Sequence, residues 1–187
     1  MDIIKYIEKN GEISFEEKPI TTIDKLIFSC LSYVYYDGVV STNGFNKKTI
    51  EQVGKEFFSI HEDRKFKNIF HTISNAPKLL DLIKDKKRYK DLLVYNDVYI
   101  GDDKQQFSAL SIEINPNLVF VSFEGTDELI SGWKEDCALT YKRFIPSQIQ
   151  AIRYLNQRFL FRNCELILGG HSKGGNLALI SAMYANP

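Results

Sequence analysis

The strongest constraint on the fold of this chain is a G-x-S-x-G pattern that follows a run of apolar residues. The run is Leu166-Ile167-Leu168, and the pattern is Gly170-His171-Ser172-Lys173-Gly174. The apolar run predicts a buried strand, and the small residues predict that a following helix packs closely against it. A serine on such a sharp strand-to-helix turn takes unusual backbone angles that expose its Oγ. Ser172 is therefore the candidate nucleophile of a nucleophile elbow.

The residues after this serine lack the partners that its chemistry needs. Residues 173–187 contain no Asp, Glu or His. A catalytic serine needs a base, and in folds with this elbow the acid and the histidine follow the serine along the chain. We therefore expect a truncated hydrolase half-domain whose Asp and His lie beyond Pro187, and we expect this chain alone to be close to inactive.

Composition excludes several classes of function. Lys plus Arg and Asp plus Glu both number 24 in the 187 residues, and the zero net charge argues against a nucleic-acid partner. Residues 1–10 do not have the layout of a secretion signal, and the apolar stretch of residues 26–36 is too short to span a bilayer. We expect a cytoplasmic protein without an integral membrane segment. Three widely spaced cysteines predict neither a disulfide framework nor a metal site.

Residues 1–88 read as a helical N-terminal subdomain. Apolar positions spaced along one helix face follow Thr21 and Thr22, either of which can cap the helix. Asn46 can cap a second helix, a third stripe covers residues 66–73, and Pro77 opens a fourth helix. The cations that follow the fourth helix favour a solvated helix end over a phosphate site. They are Lys84, Lys86, Lys87, Arg88 and Lys90.

Residues 89–187 read as the N-terminal half of an α/β-hydrolase domain. Apolar and polar residues alternate over residues 110–114, which predicts a half-buried strand. Asn115-Pro116-Asn117 then predicts a tight turn that leads into a central strand over residues 118–123. Pro146 begins a helix, and residues 166–168 form the next central strand. This alternation predicts a parallel crossover and a three-layer α/β fold with a mostly parallel sheet.

A second segment supplies what acyl transfer requires besides a nucleophile. An oxyanion hole needs two N–H donors, one from the residue after the nucleophile and one from an earlier loop at a strand end. Lys173 follows the serine, and Thr126 lies in the Gly-Thr turn after the predicted central strand. The backbone N–H groups of Thr126 and Lys173 are the candidate donors, and the Thr126 hydroxyl can add a third.

These motifs resemble, in order and spacing, the class 3 lipase branch of the α/β-hydrolases. They are Phe123-x-Gly125-Thr126, Trp133-x-x-Asp136, and the elbow followed by Asn176-Leu177-Ala178. Three longer runs look more closely like a bacterial family of uncharacterised lipase-like proteins. They are Gln106-Phe107-Ser108-Ala109, Gly132-Trp133-Lys134-Glu135-Asp136 and His171-Ser172-Lys173-Gly174-Gly175-Asn176.

The resemblance implies a serine hydrolase that acts on a small-molecule acyl ester or thioester without a cofactor or a metal ion. It makes Ser172 the nucleophile, Thr126 and Lys173 the oxyanion donors, and Asp136 an ordering residue beside the Gly-Thr loop. Glu124 stands where these lipases usually have Arg. The charge of Lys173 beside the nucleophile favours a polar or anionic ester.

Other interpretations compete with catalysis by this chain. A phosphate loop does not fit, because Ser172 precedes Lys173. His171 favours a packing role, and His61 and His71 are most simply surface or capping residues. The alternative class is a non-catalytic interaction module on a degenerate hydrolase fold. An unpaired strand edge in a half-sheet also predicts a homodimer that completes the sheet.

Overall fold

The computed structural model describes residues 2–36, 38–61 and 76–186. Within these residues, seven helices accompany five strands, and the fold is α/β. The helices are α1 (Ile3–Asn10), α2 (Thr22–Leu31), α3 (Ile50–Ile60), α4 (Ala76–Ile83), α5 (Ile130–Ala138), α6 (Pro146–Phe159) and α7 (Lys173–Tyr184). The strands are β1 (Lys48–Thr49), β2 (Leu93–Gly101), β3 (Gln106–Asn115), β4 (Leu118–Phe123) and β5 (Glu165–Gly170).

The sheet is mixed, and the prediction of a mostly parallel sheet is wrong. Its order is β1-β2-β3-β4-β5, and only β4 and β5 run parallel. Short turns join β2 to β3 and β3 to β4, and a turn of this length can only make an antiparallel hairpin. The crossover through α5 and α6 is long enough to return the chain parallel to β4. β5 therefore lies at the end of the sheet described here, whereas a central position was predicted.

Helices cover both faces of the sheet because alternate strand residues point to opposite faces. Leu110 and Phe120 pack with the N-terminal helices α1 to α4 in one apolar core. Val119 and Val121 pack with α6 and α7 in a second core on the other face. The N-terminal helices thus bury apolar surface directly against β3 and β4, where the candidate site is built.

Local capping explains where two of the N-terminal helices begin. Thr21 caps α2 in a reciprocal pair with Asp24, as predicted for this position. Thr49 caps α3 through a pair with Gln52, so the prediction that Asn46 is the cap is wrong. Thr49 has the required partner three residues later, a stronger signal than a lone Asn. The predicted stripe of residues 66–73 lies outside the described residues.

Arg88 is fully buried, and the prediction that it belongs to a solvated helix end is wrong. Its Nε and Nη2 donate to the two carboxylate oxygens of Asp24 at 2.9 and 2.7 Å, and both side chains have zero exposure. The Arg88 guanidinium also stacks 3.9 Å from the centroid of the Phe15 ring. The ion pair between Arg88 and Asp24 connects α2 to the segment that leads into β2.

None of the helices formed by the described residues has the length and apolar character needed to cross a membrane.

Candidate active site

Ser172 lies at the turn between β5 and α7, with its backbone in a left-handed conformation. Its φ is +55° and its ψ is −123°, and the residue is exposed. A residue other than glycine at such angles costs on the order of 1–3 kcal/mol and persists only where the surrounding structure enforces it. The Gly174 N–H donates to the His171 carbonyl at 2.9 Å, and Gly175 N–H donates to that of Ser172 at 3.0 Å. These bonds close the turn around the serine.

Two glycines bring this turn against the end of β4. A Cβ atom on Gly174 would lie 2.1 Å from the Phe123 carbonyl oxygen, and one on Gly170 would lie 2.5 Å from the same oxygen. No side chain fits at these distances, so the strand and the helix approach each other only because both residues are glycine.

The loop after β4 touches the serine turn. A Cβ atom on Gly125 would lie 2.4 Å from the His171 carbonyl oxygen and 3.4 Å from the Cβ of Ser172. The structure therefore brings the Gly125–Thr126 segment and Ser172 together, although they are far apart in sequence. The Thr126 hydroxyl donates to Asp136 Oδ2 at 2.6 Å. Its one proton is thus used, and the prediction that this hydroxyl adds a third oxyanion donor is wrong.

Lys173 begins α7, but its side chain points into the protein. Its Nζ donates to the Gln106 carbonyl at 3.0 Å, to Gln106 Oε1 at 2.6 Å and to Glu135 Oε2 at 3.0 Å. The Lys173 side chain has zero exposure, and that of Glu135 is 3% exposed. The prediction that this charge lies beside the nucleophile is wrong, because β3 and α5 supply buried oxygen partners.

Gln106 connects Lys173 to the Gly-Thr loop. Its Nε2 donates to the Gly125 carbonyl oxygen at 3.1 Å and makes a longer contact of 3.4 Å with Glu124 Oε2. Glu135 closes the network, since its carboxylate accepts from the Gln106 N–H at 3.2 Å and from the Ser147 N–H at 2.8 Å. Gln106 and Glu135 stand inside the motif runs, yet no local pattern marks them as partners of Lys173.

Tyr33, which follows α2, reaches the same loop from the helical half of the chain. Its hydroxyl accepts the Gly125 N–H at 2.9 Å and lies 3.4 Å from His171 Nδ1. Burial raises the pKa of Tyr33, so the hydroxyl keeps its proton near neutral pH. No local sequence pattern marks this contact, because Tyr33 and Gly125 lie 92 residues apart along the chain. His171 is exposed, and its ring meets that of Tyr33 edge-on.

A comparison with protein families decides what this chain is related to. The family model described as Mbeg1-like matches residues 83–187, more than half of the chain. The chain belongs to the Mbeg1-like family. This is a lipase-like family, and the assignment to class 3 lipases and to a bacterial family of uncharacterised proteins is wrong. A search of curated proteins found no match, and a search of solved structures also found none.

In this Mbeg1-like chain, two carboxyl groups line a small cavity behind the Gly-Thr loop. The cavity holds about 40 Å³, and its walls include Tyr33, Asp97, Tyr99, Ser108 and Glu124. Burial raises the pKa of Asp97 to about 7. Burial and then the charge of Asp127 raise the pKa of Glu124 well above its usual value. Glu124 therefore resists ionisation near neutral pH.

The described part of the Mbeg1-like chain does not place a catalytic base against Ser172. No hydrogen bond joins Ser172 Oγ to another described residue. His61 caps the C-terminus of α3, stacks on Phe57 and is buried, so the prediction of a surface position is wrong whereas that of a cap is right. His71 lies outside the described residues.

Proposed function

We propose that this chain carries the nucleophile and the oxyanion hole of a serine hydrolase that cleaves a carboxylic ester or thioester. The observation that carries the proposal is the left-handed backbone of Ser172 between β5 and α7, with the Gly125–Thr126 loop packed against it. Membership in a lipase-like family supports the same reaction class. The buried position of the Lys173 charge removes the reason to favour an anionic substrate.

The reaction begins when Ser172 Oγ attacks the acyl carbonyl carbon. The Oγ–C bond forms, the serine proton passes to a base, and the carbonyl electrons move onto oxygen. The oxyanion then collapses, the C–O or C–S bond breaks, and the alcohol or thiol leaves with a proton. Water hydrolyses the acyl-serine, which releases the carboxylic acid and restores the hydroxyl.

Two backbone N–H groups stabilise the oxyanion in this proposal. The Lys173 N–H is the first of α7, and the first N–H groups of a helix have no acceptor within the helix. The partial positive charge at a helix N-terminus adds to its effect on an anion. The Thr126 N–H comes from the loop that touches the serine turn. Loss of one such donor typically lowers the rate by about 10²–10³-fold.

An added base makes the proposal testable with the 187-residue chain. A fluorophosphonate labels an activated serine, because the Oγ–P bond forms as the P–F bond breaks and fluoride leaves. We expect slow formation of a single adduct on the unsubstituted chain, measured by intact mass. We expect millimolar imidazole to accelerate the labelling, because it accepts the proton that no described side chain is placed to take.

Two variants give the controls. Ser172→Ala should abolish the adduct, whereas Ser59→Ala, at an exposed serine of α3, should leave labelling unchanged. Equal labelling of Ser172→Ala would show that the reagent reacts elsewhere. Failure of the unsubstituted chain to react even with imidazole would overturn the proposal and favour a non-catalytic interaction module.

A further inference from the structure

We propose that Gln106 is a positioning residue that orients the peptide carrying the Thr126 N–H, and that Lys173 holds Gln106 in place. The inference rests on the proposed function, because it assigns a task within the same oxyanion hole. It explains why a lysine directly after the nucleophile is buried with its charge turned away from solvent.

The first step follows from the geometry of the peptide bond. The Gly125 carbonyl and the Thr126 N–H belong to one planar peptide unit, and a trans peptide points these groups in opposite directions. No cis peptide bond occurs among the described residues. Gln106 Nε2 donates to the Gly125 oxygen at 3.1 Å, so it fixes the direction of the N–H on the other side of the plane. Tyr33 holds the preceding peptide through the Gly125 N–H.

The second step concerns the orientation of the Gln106 amide. A glutamine amide can flip and exchange its donor and acceptor ends, but a lysine ammonium only donates. Lys173 Nζ lies 2.6 Å from Gln106 Oε1, so the oxygen faces the lysine and the NH₂ group faces Gly125. Glu135 fixes the other side of the lysine and also accepts the Gln106 backbone N–H. Gln106 has zero exposure, so water does not compete for these contacts.

The third step connects the two oxyanion donors. The backbone of Lys173 supplies one N–H, while its side chain, through Gln106, orients the peptide that supplies the other. Hydrogen bonds in such a chain polarise one another, so a bond accepted by the Gly125 carbonyl also strengthens the Thr126 N–H as a donor. The network thus sets both the direction and the strength of the Thr126 donor.

The test uses the phosphonate adduct of Ser172 as a probe of each donor. Adducts of the unsubstituted chain, Gln106→Met and Gln106→Glu are driven to completion with imidazole, and their amide protons are recorded by ¹⁵N-resolved NMR. In the unsubstituted adduct we expect downfield shifts of both the Thr126 and the Lys173 amide protons. In both variants we expect the Lys173 shift to persist and the Thr126 shift to be lost. The initial labelling rate should fall about tenfold or more, because misplacing a donor approaches the cost of removing it.

The variants separate positioning from folding. Gln106→Glu keeps the side-chain length and an acceptor for Lys173 but loses the donor, whereas Gln106→Met loses both. Gln157→Met, at an exposed position of α6, is the matched control and should retain the rate and both shifts. Thermal unfolding shows whether each variant is folded, and the Lys173 shift reports an intact elbow within the same sample.

The outcomes also separate this inference from the proposed function. An unchanged Thr126 shift and labelling rate in either folded Gln106 variant would overturn the positioning role and leave Ser172 as the nucleophile. Loss of both shifts together would show a general collapse of the site and would also overturn it. An unsubstituted chain that forms no adduct would overturn the proposed function, and this inference with it.

Discussion

Thr126 donates its hydroxyl proton to the Asp136 carboxylate at 2.6 Å, which ties the loop after β4 to α5. The bond is partly buried and its acceptor is charged, and both conditions strengthen a hydrogen bond. The contact agrees with the role expected for Asp136 as an ordering residue. Its purpose in the proposed site is to hold the Thr126 backbone, since the hydroxyl itself is occupied.

Replacing the acceptor should therefore loosen this loop. We expect Asp136→Ala to lower the free energy of unfolding by about 1–3 kcal/mol, because Thr126 loses a charged partner. Asp136→Asn retains an acceptor oxygen, so its free energy of unfolding should fall less than that of Asp136→Ala. Urea unfolding followed by circular dichroism measures both changes. Equal stability of the alanine variant and the unsubstituted chain would show that the bond does not order the loop.

The approach of α7 to β4 predicts an asymmetry between two adjacent glycines. A Cβ on Gly174 would lie 2.1 Å from a backbone oxygen, whereas a Cβ on Gly175 would meet its nearest atom at 3.2 Å. We expect Gly174→Ala to destabilise the protein by about 2 kcal/mol or more, because backbone must move. Gly175→Ala should be milder, since alanine favours helices over glycine by about 1 kcal/mol. Similar urea midpoints for the two variants would contradict this packing.

The strand–turn–helix geometry around Ser172 can be predicted from the sequence because its determinants are local. Ser172, its flanking glycines and the preceding strand are neighbours in the chain, and steric limits on the turn leave few other arrangements. The capping of α2 by Thr21 is local in the same sense, since its partner is three residues away. Short-range patterns of this kind carry enough information to be recognised without a structure.

The support of the turn could not be predicted because its contacts join distant segments. Lys173 lies 67 residues from Gln106 and 38 residues from Glu135 along the chain. The contact between Tyr33 and Gly125 spans 92 residues. A buried lysine looks like a surface lysine in sequence, because its burial depends on a carboxylate brought near by the fold. The sheet direction was misjudged for a different reason: no strand was predicted over residues 93–101, so the antiparallel pairing of β2 with β3 was missed.

The buried pair of Arg88 and Asp24 should dominate the stability of the helical half. Burial alone would raise the pKa of Asp24, but the hydrogen bonds from Arg88 and Thr21 lower it, so the carboxylate stays charged. Arg88→Met leaves that charge buried without its partner, and we expect a loss of about 3–5 kcal/mol. The control Lys87→Met removes an exposed contact with Glu17 and should leave the urea midpoint unchanged. Equal urea midpoints for Arg88→Met and Lys87→Met would refute the conclusion that the buried Arg88–Asp24 pair stabilises the protein.

We propose that two copies of the chain associate through the outer edge of β5. This strand pairs only with β4 among the described strands, and Leu179 and Met183 of α7 beside it are 60% and 63% exposed. Sedimentation velocity across a concentration series should show a monomer–dimer equilibrium that Leu179→Lys weakens. Leu160→Lys, at an exposed leucine after α6, should leave the equilibrium unchanged. A single monomer species at every concentration would rule the proposal out.

The Asp97 carboxyl predicts a pH dependence of stability with a definite sign. Its pKa is about 7 in the folded protein because of burial, whereas an aspartate in an unfolded chain titrates near 4. The folded state therefore favours the protonated form, and this contribution to stability is complete below about pH 4 and is lost as the pH rises through about 7.

The comparison of Asp97→Asn with the unsubstituted chain isolates the contribution of the Asp97 carboxyl to the pH dependence of stability. Asparagine cannot ionise, so the variant should gain stability relative to the unsubstituted chain between pH 5 and pH 8, by about 1.4 kcal/mol or more, the equivalent of at least one pKa unit. Urea unfolding at both pH values gives the difference. Asp103→Asn, at an exposed aspartate of the β2–β3 turn, is the control and should show no such gain. A relative stability of Asp97→Asn that stays constant or falls with pH would mean that water solvates the Asp97 carboxyl in the folded protein, and the assignment of a raised pKa would be refuted.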